Sequence, residues 1–149
     1  MTPSASDFWF LPLGGCGEIG MNMSLYGHDG RWLMVDCGIG FDRDSADTRI
    51  ITAMPDFIAA RHDRLDALLV THAHEDHVGA LPYVLPEFPG VPVYASTLAR
   101  GLLSNKIKEH KLRNNPLKAL EPGDTVELGH FDITAFRIGH SIPDAMGLR

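Results

Sequence analysis

The sequence is poor in cysteine, in long apolar runs and in positive charge near its start. No apolar run among the 149 residues reaches the length of about 20 that spans a bilayer. The opening "MTPSASDFWFLPLGG" lacks the basic residues and the long apolar stretch of a signal peptide. Cys16 and Cys37 are the only cysteines, so packed free thiols are favoured over a disulfide. These features predict a cytoplasmic protein with no membrane partner.

Positive charge is also scarce overall, but it is unevenly placed. The formal net charge is −6, which does not by itself suggest a nucleic-acid-binding protein. Six of the 13 lysines and arginines nevertheless fall between Arg100 and Lys118, with Glu109 as the single acid there. A solvated helix face is the favoured interpretation of this segment, and a basic binding surface is the alternative. The 44% hydrophobic and 21% charged residues suit one globular domain or part of one.

The order of the predicted elements indicates a mixed sheet packed on helices. A continuous apolar strand over residues 65–71 is expected to be buried on both faces. Hairpins around Asp29-Gly30 and Gly129 are antiparallel, and helices alternate with strands between them, so we expect an α/β fold with an α+β mixed sheet. The predicted strands are 8–13, 23–26, 32–36, 65–71, 91–96, 125–128 and 131–138, the predicted helices are 55–61, 79–85 and 97–110, and 40–48 is predicted to be a loop.

Four side chains that can bind metal lie within six positions of the stretch "LLVTHAHEDHVGALPYV". His72 and His74 follow the buried strand, and alternate residues of an extended segment face the same way, so both can address one ion. Asp76 and His77 then turn away into a helix and could serve a second ion. Imidazole and carboxylate suit zinc, manganese or iron, and without thiolate an open hydrolytic site is favoured. Scattered surface histidines are the alternative, which this clustering disfavours.

His140 and Asp36 each follow a predicted strand and are weaker candidates. His140 lies in "RIGHSIPDAMG", where a lone histidine would be interpreted as an ordinary surface residue. Asp36, in "LMVDCG", would alone be interpreted as a turn residue. A carboxylate at that place could accept the ring N–H of a metal-binding histidine and fix its tautomer. Asp36 is therefore predicted to orient a ligand and not to bind the ion itself.

The motif "THAHEDH" resembles the HxHxDH signature of the metallo-β-lactamase superfamily. The stretches "LPLGGCGEIGMNM", "VDCG", "VPVYAS", "GLLSNKIKEHKL" and "GHSIPDAMG" resemble the ribonuclease J family, a β-CASP branch of that superfamily. HxHxDH specifies only the superfamily, whereas the GGxGEIG loop, Glu75 and the HSIPD segment are more specific. The resemblance runs from about Phe10 to Gly147 and implies the αββα sandwich fold. Residues 1–149 would form the N-terminal half of a metallo-β-lactamase domain, with the β-CASP and C-terminal domains outside this chain.

The resemblance also implies roles for the candidate residues. His72, His74 and His140 would hold one zinc, while Asp76 and His77 would help to hold a second zinc and take part in catalysis. The implied reaction is hydrolysis of RNA phosphodiester bonds, as a 5′-to-3′ exonuclease and as an endonuclease. RNA is then the expected partner, and a contact with the basic helix becomes a stronger alternative. The candidate RNA contacts on that helix are Lys106, Lys108, Lys111 and Arg113.

The family pattern continues past residue 149, with a further aspartate that bridges the metals and a late histidine. We therefore expect at most one well-occupied zinc in this chain and no turnover of RNA by it alone. Its natural partner would be the missing C-terminal half, and without it an incompletely covered sheet would favour a homo-oligomer. Another hydrolase of the same fold, such as a glyoxalase II-like thioesterase, is one alternative. A non-catalytic fragment that binds metal or a partner chain is the other.

Overall fold

The described part of the chain forms three sheets and four α-helices. The structure is a computed structural model that describes residues 2–42, 47, 49–112 and 114–149. The strands are β1 (Phe8–Gly14), β2 (Met23–His28), β3 (Arg31–Val35), β4 (Ile39–Asp42), β5 (Arg49–Thr52), β6 (Leu65–Leu69), β7 (Val93–Ala95), β8 (Leu117–Ala119), β9 (Thr125–Leu128), β10 (Phe131–Arg137) and β11 (Met146–Leu148). The helices are α1 (Asp56–Ala59), α2 (Glu75–Val78), α3 (Leu81–Val84) and α4 (Thr97–Glu109).

A six-stranded mixed sheet is the centre of the fold. Its strand order is β1-β2-β3-β6-β7-β8. Strands β1, β2 and β3 pair antiparallel, whereas β3, β6, β7 and β8 are parallel to one another. In the β2–β3 turn, Asp29 has φ 45° and Gly30 has φ 75°, which are the left-handed conformations that a tight two-residue hairpin requires. The predictions of a mixed sheet and of a hairpin at this turn are confirmed.

Strand β6 separates two apolar clusters. Leu68 and, just after the strand, Val70 belong to the larger cluster, while Ala67 and Leu69 belong to the smaller one. All four side chains are buried, as expected when consecutive residues of a strand point to opposite covered faces. The prediction of a strand buried on both faces is confirmed. The buried strand β6 therefore holds the start of the segment that follows it, which carries His72 and His74, in a fixed position.

A second sheet covers only part of the second face of the central sheet. Its order is β11-β10-β9, all antiparallel, and its residues Phe131 and Met146 join the cluster of Leu69. Near β1 the face is open, because Phe8 and Phe10 are 67% and 53% exposed. A cavity of about 510 Å³ lies between the two sheets beside Phe8. The second face of the central sheet is therefore incompletely covered near β1, as expected, whereas β6 is covered on both faces.

Several short elements differ from those predicted. The predicted loop 40–48 contributes to β4, which pairs with β5, while residues 43–46 and 48 lie outside the described part. Strands β8 and β11 were not predicted, because three residues are too few to show an alternating pattern. The predicted helix 79–85 is α-helical only at Leu81–Val84, and the separate turn α2 precedes it. Cys16 and Cys37 are free thiols, as predicted, and Cys37 is buried, but the prediction of packing is wrong for Cys16, which is exposed.

Helix α4 begins where the sequence predicts. The spacing of Leu98, Leu102, Leu103 and Ile107 predicts one apolar stripe, but the buried face of the helix is narrower than this stripe. Ser96 Oγ accepts a hydrogen bond from the Ala99 N–H at 3.3 Å, so Ser96 is the N-cap. Leu103 is buried, whereas Leu102 is 45% exposed and lies outside the apolar stripe expected to include it. No helix within the described residues is long and apolar enough to cross a membrane.

Candidate metal centre

The end of strand β6 brings two histidines to one place. The Val70 N–H donates to the Tyr94 carbonyl at 2.8 Å, which carries the parallel pairing to a point just before the motif. At His74 the backbone is still extended (φ −67°, ψ 146°), and helix α2 begins with the next residue. His72 and His74 lie two residues apart on this segment, so their rings share one side, with centroids 4.8 Å apart.

His140 joins these rings from a separate part of the chain. It follows β10, and a 3.0 Å hydrogen bond from the Met146 N–H to the Thr71 carbonyl ties its loop to the end of β6. His72 Nε2 lies 3.1 Å from His74 Nδ1 and 3.1 Å from His140 Nε2. The three ligand atoms all lie within 4.8 Å of one another. We call His72, His74 and His140 the histidine triad, and the structure brings it together as the predicted site requires.

Hydrogen bonds behind the triad set the tautomer of His72. Thr71 Oγ1 lies 3.0 Å from His72 Nδ1 and 2.8 Å from Asp36 Oδ2. Because an ionised carboxylate only accepts, the threonine hydroxyl donates to Asp36 and accepts the N–H at Nδ1 of His72. The lone pair of His72 Nε2 then faces the other two rings of the triad. This is the tautomer in which the ring can bind a metal through Nε2.

Burial keeps the ring of His72 neutral. The residue is 6% exposed. Burial first, and then the charge of the neighbouring His77, lower the pKa of His72 from 6.5 to about 4. At neutral pH the ring therefore carries a lone pair in place of a second proton. Neutral imidazole is the state in which histidine binds metal ions.

Asp76 and His77 form the second half of the site. His77 Nδ1 lies 2.7 Å from Asp36 Oδ2, and its Nε2 lies 3.5 Å from Asp76 Oδ2. Burial lowers the pKa of His77, but the hydrogen bond and charge of Asp36, with the charge of Asp76, raise that pKa overall above its ordinary value. When the neutral ring donates its Nδ1–H to Asp36, Nε2 presents a lone pair beside the Asp76 carboxylate. The ring centroids of His72 and His77 are 4.0 Å apart, so the two halves are contiguous.

Asp36 connects the two halves of the site. Its backbone has φ 61°, a left-handed conformation that costs a non-glycine residue about 1–3 kcal/mol. Its Oδ1 accepts from the Thr71 N–H at 2.8 Å, and its Oδ2 contacts His77 Nδ1. The strained turn after β3 thus places one carboxylate where it accepts hydrogen bonds from both Thr71 and His77. These hydrogen bonds set the tautomers of His72 and His77. This position agrees with the predicted orienting role.

Thr71 and Asn22 are candidate functional residues that the sequence analysis missed. Thr71 precedes the motif and looks like the last residue of a strand, yet it contacts Asp36 across 35 positions. Asn22 follows the glycine-rich loop, and its Nδ2 lies 3.2 Å from Asp76 Oδ2 and 3.2 Å from His77 Nε2. A polar residue beside a strand end or a glycine-rich loop is the only local signal for either.

The candidate RNA contacts on α4 are not alike. Lys106 Nζ lies 2.7 Å from Glu75 Oε1 and 2.9 Å from Glu75 Oε2, so this base is paired with the glutamate of the motif. Lys108 and Lys111 are exposed. Arg113 lies outside the described residues. Within the described part, α4 therefore presents Lys108 to solvent, and Lys111 is exposed just after the helix ends. Lys106 attaches the helix to residues 72–77, which we call the metal loop.

Comparison with known proteins identifies the fold. The family profile of the metallo-beta-lactamase superfamily matches residues 17–146. The chain belongs to the metallo-β-lactamase superfamily. The solved structure of the metallo-beta-lactamase fold protein YhfI from Bacillus subtilis superimposes with a TM-score of 0.67 at 18% identity, covering 97% of this chain and 58% of that chain. The predicted metallo-β-lactamase fold is confirmed.

Curated relatives refine this likeness. Ribonuclease J from Sinorhizobium meliloti is 44% identical over 147 residues, which cover 93% of this chain and 26% of the relative. Ribonuclease J from Corynebacterium glutamicum is 40% identical over 146 residues, which cover 97% and 20%. The resemblance to ribonuclease J is confirmed, and the chain spans about a quarter or less of these relatives. The metallo-β-lactamase fold implies metal ions, and the histidine triad is a group that could hold one.

Proposed function

We propose that this chain carries the metal centre of an RNA-hydrolysing enzyme similar to ribonuclease J. The observation that carries the proposal is the convergence of the histidine triad, in which His72 Nε2 lies 3.1 Å from each of the other two ligand atoms. The relatives named ribonuclease J are several times longer than this chain. We therefore assign residues 1–149 to the N-terminal part of a metallo-β-lactamase domain in a longer protein, whose remainder would supply the β-CASP and C-terminal domains.

The histidine triad fits zinc in number and chemistry, and in two of its three ligand separations. Zinc binds imidazole nitrogen at about 2.0–2.1 Å in a tetrahedron, which places ligand atoms about 3.3 Å apart. Two separations of 3.1 Å are close to that edge. The pKa of about 4 keeps His72 in its neutral, metal-binding form. Catalytic zinc sites commonly use three protein ligands and leave a fourth position open. Zinc is therefore the ion that we assign to the triad.

The remaining residues have roles that follow from their contacts. Asp76 and His77 would provide part of the coordination of a second ion. When bound, ions of this kind lower the pKa of water and stabilise the charge of a phosphate under attack. Asp36 holds the proton of His77 at Nδ1 through the 2.7 Å contact and leaves Nε2 available. Thr71 donates its hydroxyl hydrogen to Asp36 and accepts the Nδ1–H of His72, so Asp36 also fixes the tautomer of His72 through Thr71.

RNA is the proposed substrate and partner. The relatives are ribonucleases, which supports this choice. Lys108 is exposed on α4, which Lys106 attaches to the metal loop, and Lys111 is exposed two residues after this helix ends. Lysines and arginines that contact phosphates release counterions and favour binding to nucleic acid. Arg113 remains a candidate contact of the same kind. Cleavage as a 5′-to-3′ exonuclease and as an endonuclease, a cytoplasmic location and a homo-oligomeric state belong to this proposal.

Zinc analysis combined with an RNA degradation assay tests the proposed function. After dialysis we expect about one zinc per chain, because a triad of protein ligands suffices to hold it, and we expect His74→Ala to lose it. The isolated chain should leave 5′-monophosphorylated RNA intact, since the Asp76–His77 pair lacks further ligands. The longer protein should degrade that RNA, and His74→Ala should abolish the activity.

The control and the alternatives give distinct results. His62→Ala changes an exposed histidine at the opposite end of β6 and should retain both zinc and activity. A non-catalytic metal-binding protein or a thioesterase would bind zinc but leave RNA intact in the longer protein. Zinc retention by His74→Ala would contradict the metal assignment.

A further inference from the structure

Asn22 connects the glycine-rich loop after β1 to the Asp76–His77 pair. Its backbone N–H donates to the Asp76 carbonyl at 3.0 Å, and its own carbonyl accepts from the Gly38 N–H at 3.0 Å. Its side-chain Nδ2 donates to the same Asp76 carbonyl at 3.0 Å. Hydrogen bonds from both the N–H and the carbonyl of Asn22 thus fix its backbone, and this fixes the position of its side chain.

Helix α2 requires this support because it is a single turn of four residues. So short a helix is not stable alone and leaves its carbonyl groups without helical partners. The Ala80 N–H, which would bond to the Asp76 carbonyl in a longer helix, instead donates to the Cys37 carbonyl at 3.0 Å. The Asp76 carbonyl is therefore left for Asn22, which supplies both its backbone and its side-chain donor.

The same side-chain amide faces the atoms that would hold an ion. Asn22 Nδ2 lies 3.2 Å from Asp76 Oδ2 and 3.2 Å from His77 Nε2. These two atoms approach each other to 3.5 Å. When His77 is neutral and gives its Nδ1–H to Asp36, both atoms are acceptors, so their approach is then favourable only with a donor or a cation between them. The Asn22 amide provides that donor.

The glycine-rich loop is shaped around this asparagine. Gly15 has φ 84°, and a Cβ atom added there would lie 2.4 Å from Asn22 Oδ1. A Cβ atom added at Gly14 would lie 2.3 Å from the Met21 carbonyl, one residue before Asn22. Larger residues at either place would displace the segment that carries the amide. The first two positions of "GGCGEIG" therefore require glycine, because a side chain there would displace the segment through which Asn22 contacts the metal loop.

We propose that Asn22 is a positioning residue for the second ion, because its amide holds Asp76 Oδ2 and His77 Nε2 together. The inference rests on the proposed function, which assigns an ion to the Asp76–His77 pair. The Asp76 side chain is 42% exposed, so without the amide its carboxylate rotates towards solvent. His77 stays with Asp36, and the two ligand atoms no longer converge. The histidine triad keeps its own hydrogen bonds through Thr71.

Two variants with opposite electrostatic consequences test the inference. Asn22→Ala removes the donor, and we expect the second zinc equivalent to bind about 10-fold more weakly, as when partners of metal ligands are removed. The first equivalent should be unchanged. Asn22→Asp keeps the shape but places a carboxylate against Asp76, so its metal-free Tm should fall below that of Asn22→Ala. The added negative charge attracts a cation, so Asn22→Asp should bind the second zinc equivalent more tightly than Asn22→Ala does.

Titration of the longer protein against a competing chelator and thermal unfolding of the same protein without metal provide the readouts. Asn115→Ala is the matched control, because Asn115 Nδ2 donates to the Phe88 and Val91 carbonyls at 2.7 and 2.9 Å, away from the metal loop. It should lower the Tm and leave both zinc equivalents unchanged. A purely structural role for Asn22 would weaken zinc binding equally in both of its variants.

The outcomes separate this inference from the proposed function. Equal affinity for the second equivalent in the wild type and Asn22→Ala overturns the inference and leaves the proposed function intact. If the longer wild-type protein takes up no second equivalent, the two-ion function fails, and the metal-free Tm values decide the role of Asn22. A lower Tm for Asn22→Asp than for Asn22→Ala then supports positioning by the donor, and equal Tm values overturn it.

Discussion

The histidine triad and the Asp76–His77 pair are two halves of one site that are held in different ways. The triad combines the end of β6 with the loop after β10, and its central ring is buried. The pair lies in a single helical turn, and its carboxylate is partly exposed. Three imidazole nitrogens match the protein ligand set of a catalytic zinc, whereas one carboxylate and one imidazole do not complete one.

The difference shows what each half requires from the rest of the fold. The triad depends on the two sheets, because the Met146 N–H to Thr71 carbonyl bond brings the end of β6 beside the loop after β10. The pair depends on loops, since Asn22 and Asp36 provide the hydrogen bonds that orient it. A rigid scaffold thus preforms one half, while the other half is held by polar contacts and needs further ligands.

Removal of a triad ligand should have the largest effect. His72→Ala takes away the nitrogen that lies 3.1 Å from both of the others, so zinc affinity should fall by more than the roughly 100-fold upper range for partners of metal ligands. Elemental analysis after dialysis measures the loss, with His62→Ala as the control. Retention of zinc by His72→Ala would contradict the assignment of zinc to the histidine triad.

Loss of Asp36 should weaken both halves together. Asp36→Ala removes the acceptor for His77 Nδ1 and for the Thr71 hydroxyl, so both histidine tautomers are released. We expect metal binding to weaken by about 10–100-fold. Titration against a competing chelator checks the first and second equivalents separately. Unchanged affinity at both equivalents would contradict the orienting role.

Four of the candidate ligand residues could be selected from the sequence because their signals are local. His72 and His74 follow a run of apolar residues that can only be a buried segment, and the alternation of an extended chain fixes their common side. Asp76 and His77 follow in the same motif. His140 carries no local signal of its own, and its assignment came from the family resemblance. The roles of these residues in binding zinc remain predictions.

The contacts that hold the ligands could not be predicted, because they join distant positions. Asn22 and Asp76 are 54 positions apart, and Lys106 and Glu75 are 31 positions apart. Periodicity indicates which face of an element is buried, but it does not indicate which distant polar groups meet. The same limit explains β8 and β11, which exist because neighbouring strands pair with them and not because of their own pattern.

Protonation should distinguish the two halves in the metal-free protein. The pKa of His72 is lowered from 6.5 to about 4, so stability should fall as the pH decreases from 6.5 to about 4. The pKa of His77 is raised, so its contribution is complete below the ordinary histidine pKa and is lost as the pH rises through the raised value. The Tm should therefore peak near the ordinary pKa. Asp36→Asn should flatten the alkaline side, and an unchanged alkaline side would contradict the pairing.

The basic helix gives the smallest predicted effect. Lys106 attaches α4 to the metal loop through Glu75, and an ion pair between partly exposed side chains contributes about 0–1 kcal/mol. Its charge is already matched by a carboxylate, whereas Lys108 and Lys111 are exposed. For single-stranded RNA we expect Lys108→Gln and Lys111→Gln each to reduce the slope of log K against log salt by about 0.7, and Lys106→Gln to reduce it by less.

Binding of the metal-free chain to a 5′-monophosphorylated RNA oligonucleotide at several salt concentrations measures these slopes. Lys118→Gln is the control, because Lys118 lies on β8 with its Nζ 5.4 Å from the centroid of the Tyr94 ring. An equal reduction in Lys106→Gln would mean that RNA competes with Glu75 for this lysine. RNA binding would then loosen the contact between α4 and α2. Unaltered slopes in the Lys106, Lys108 and Lys111 variants would identify this basic segment as a solvated face.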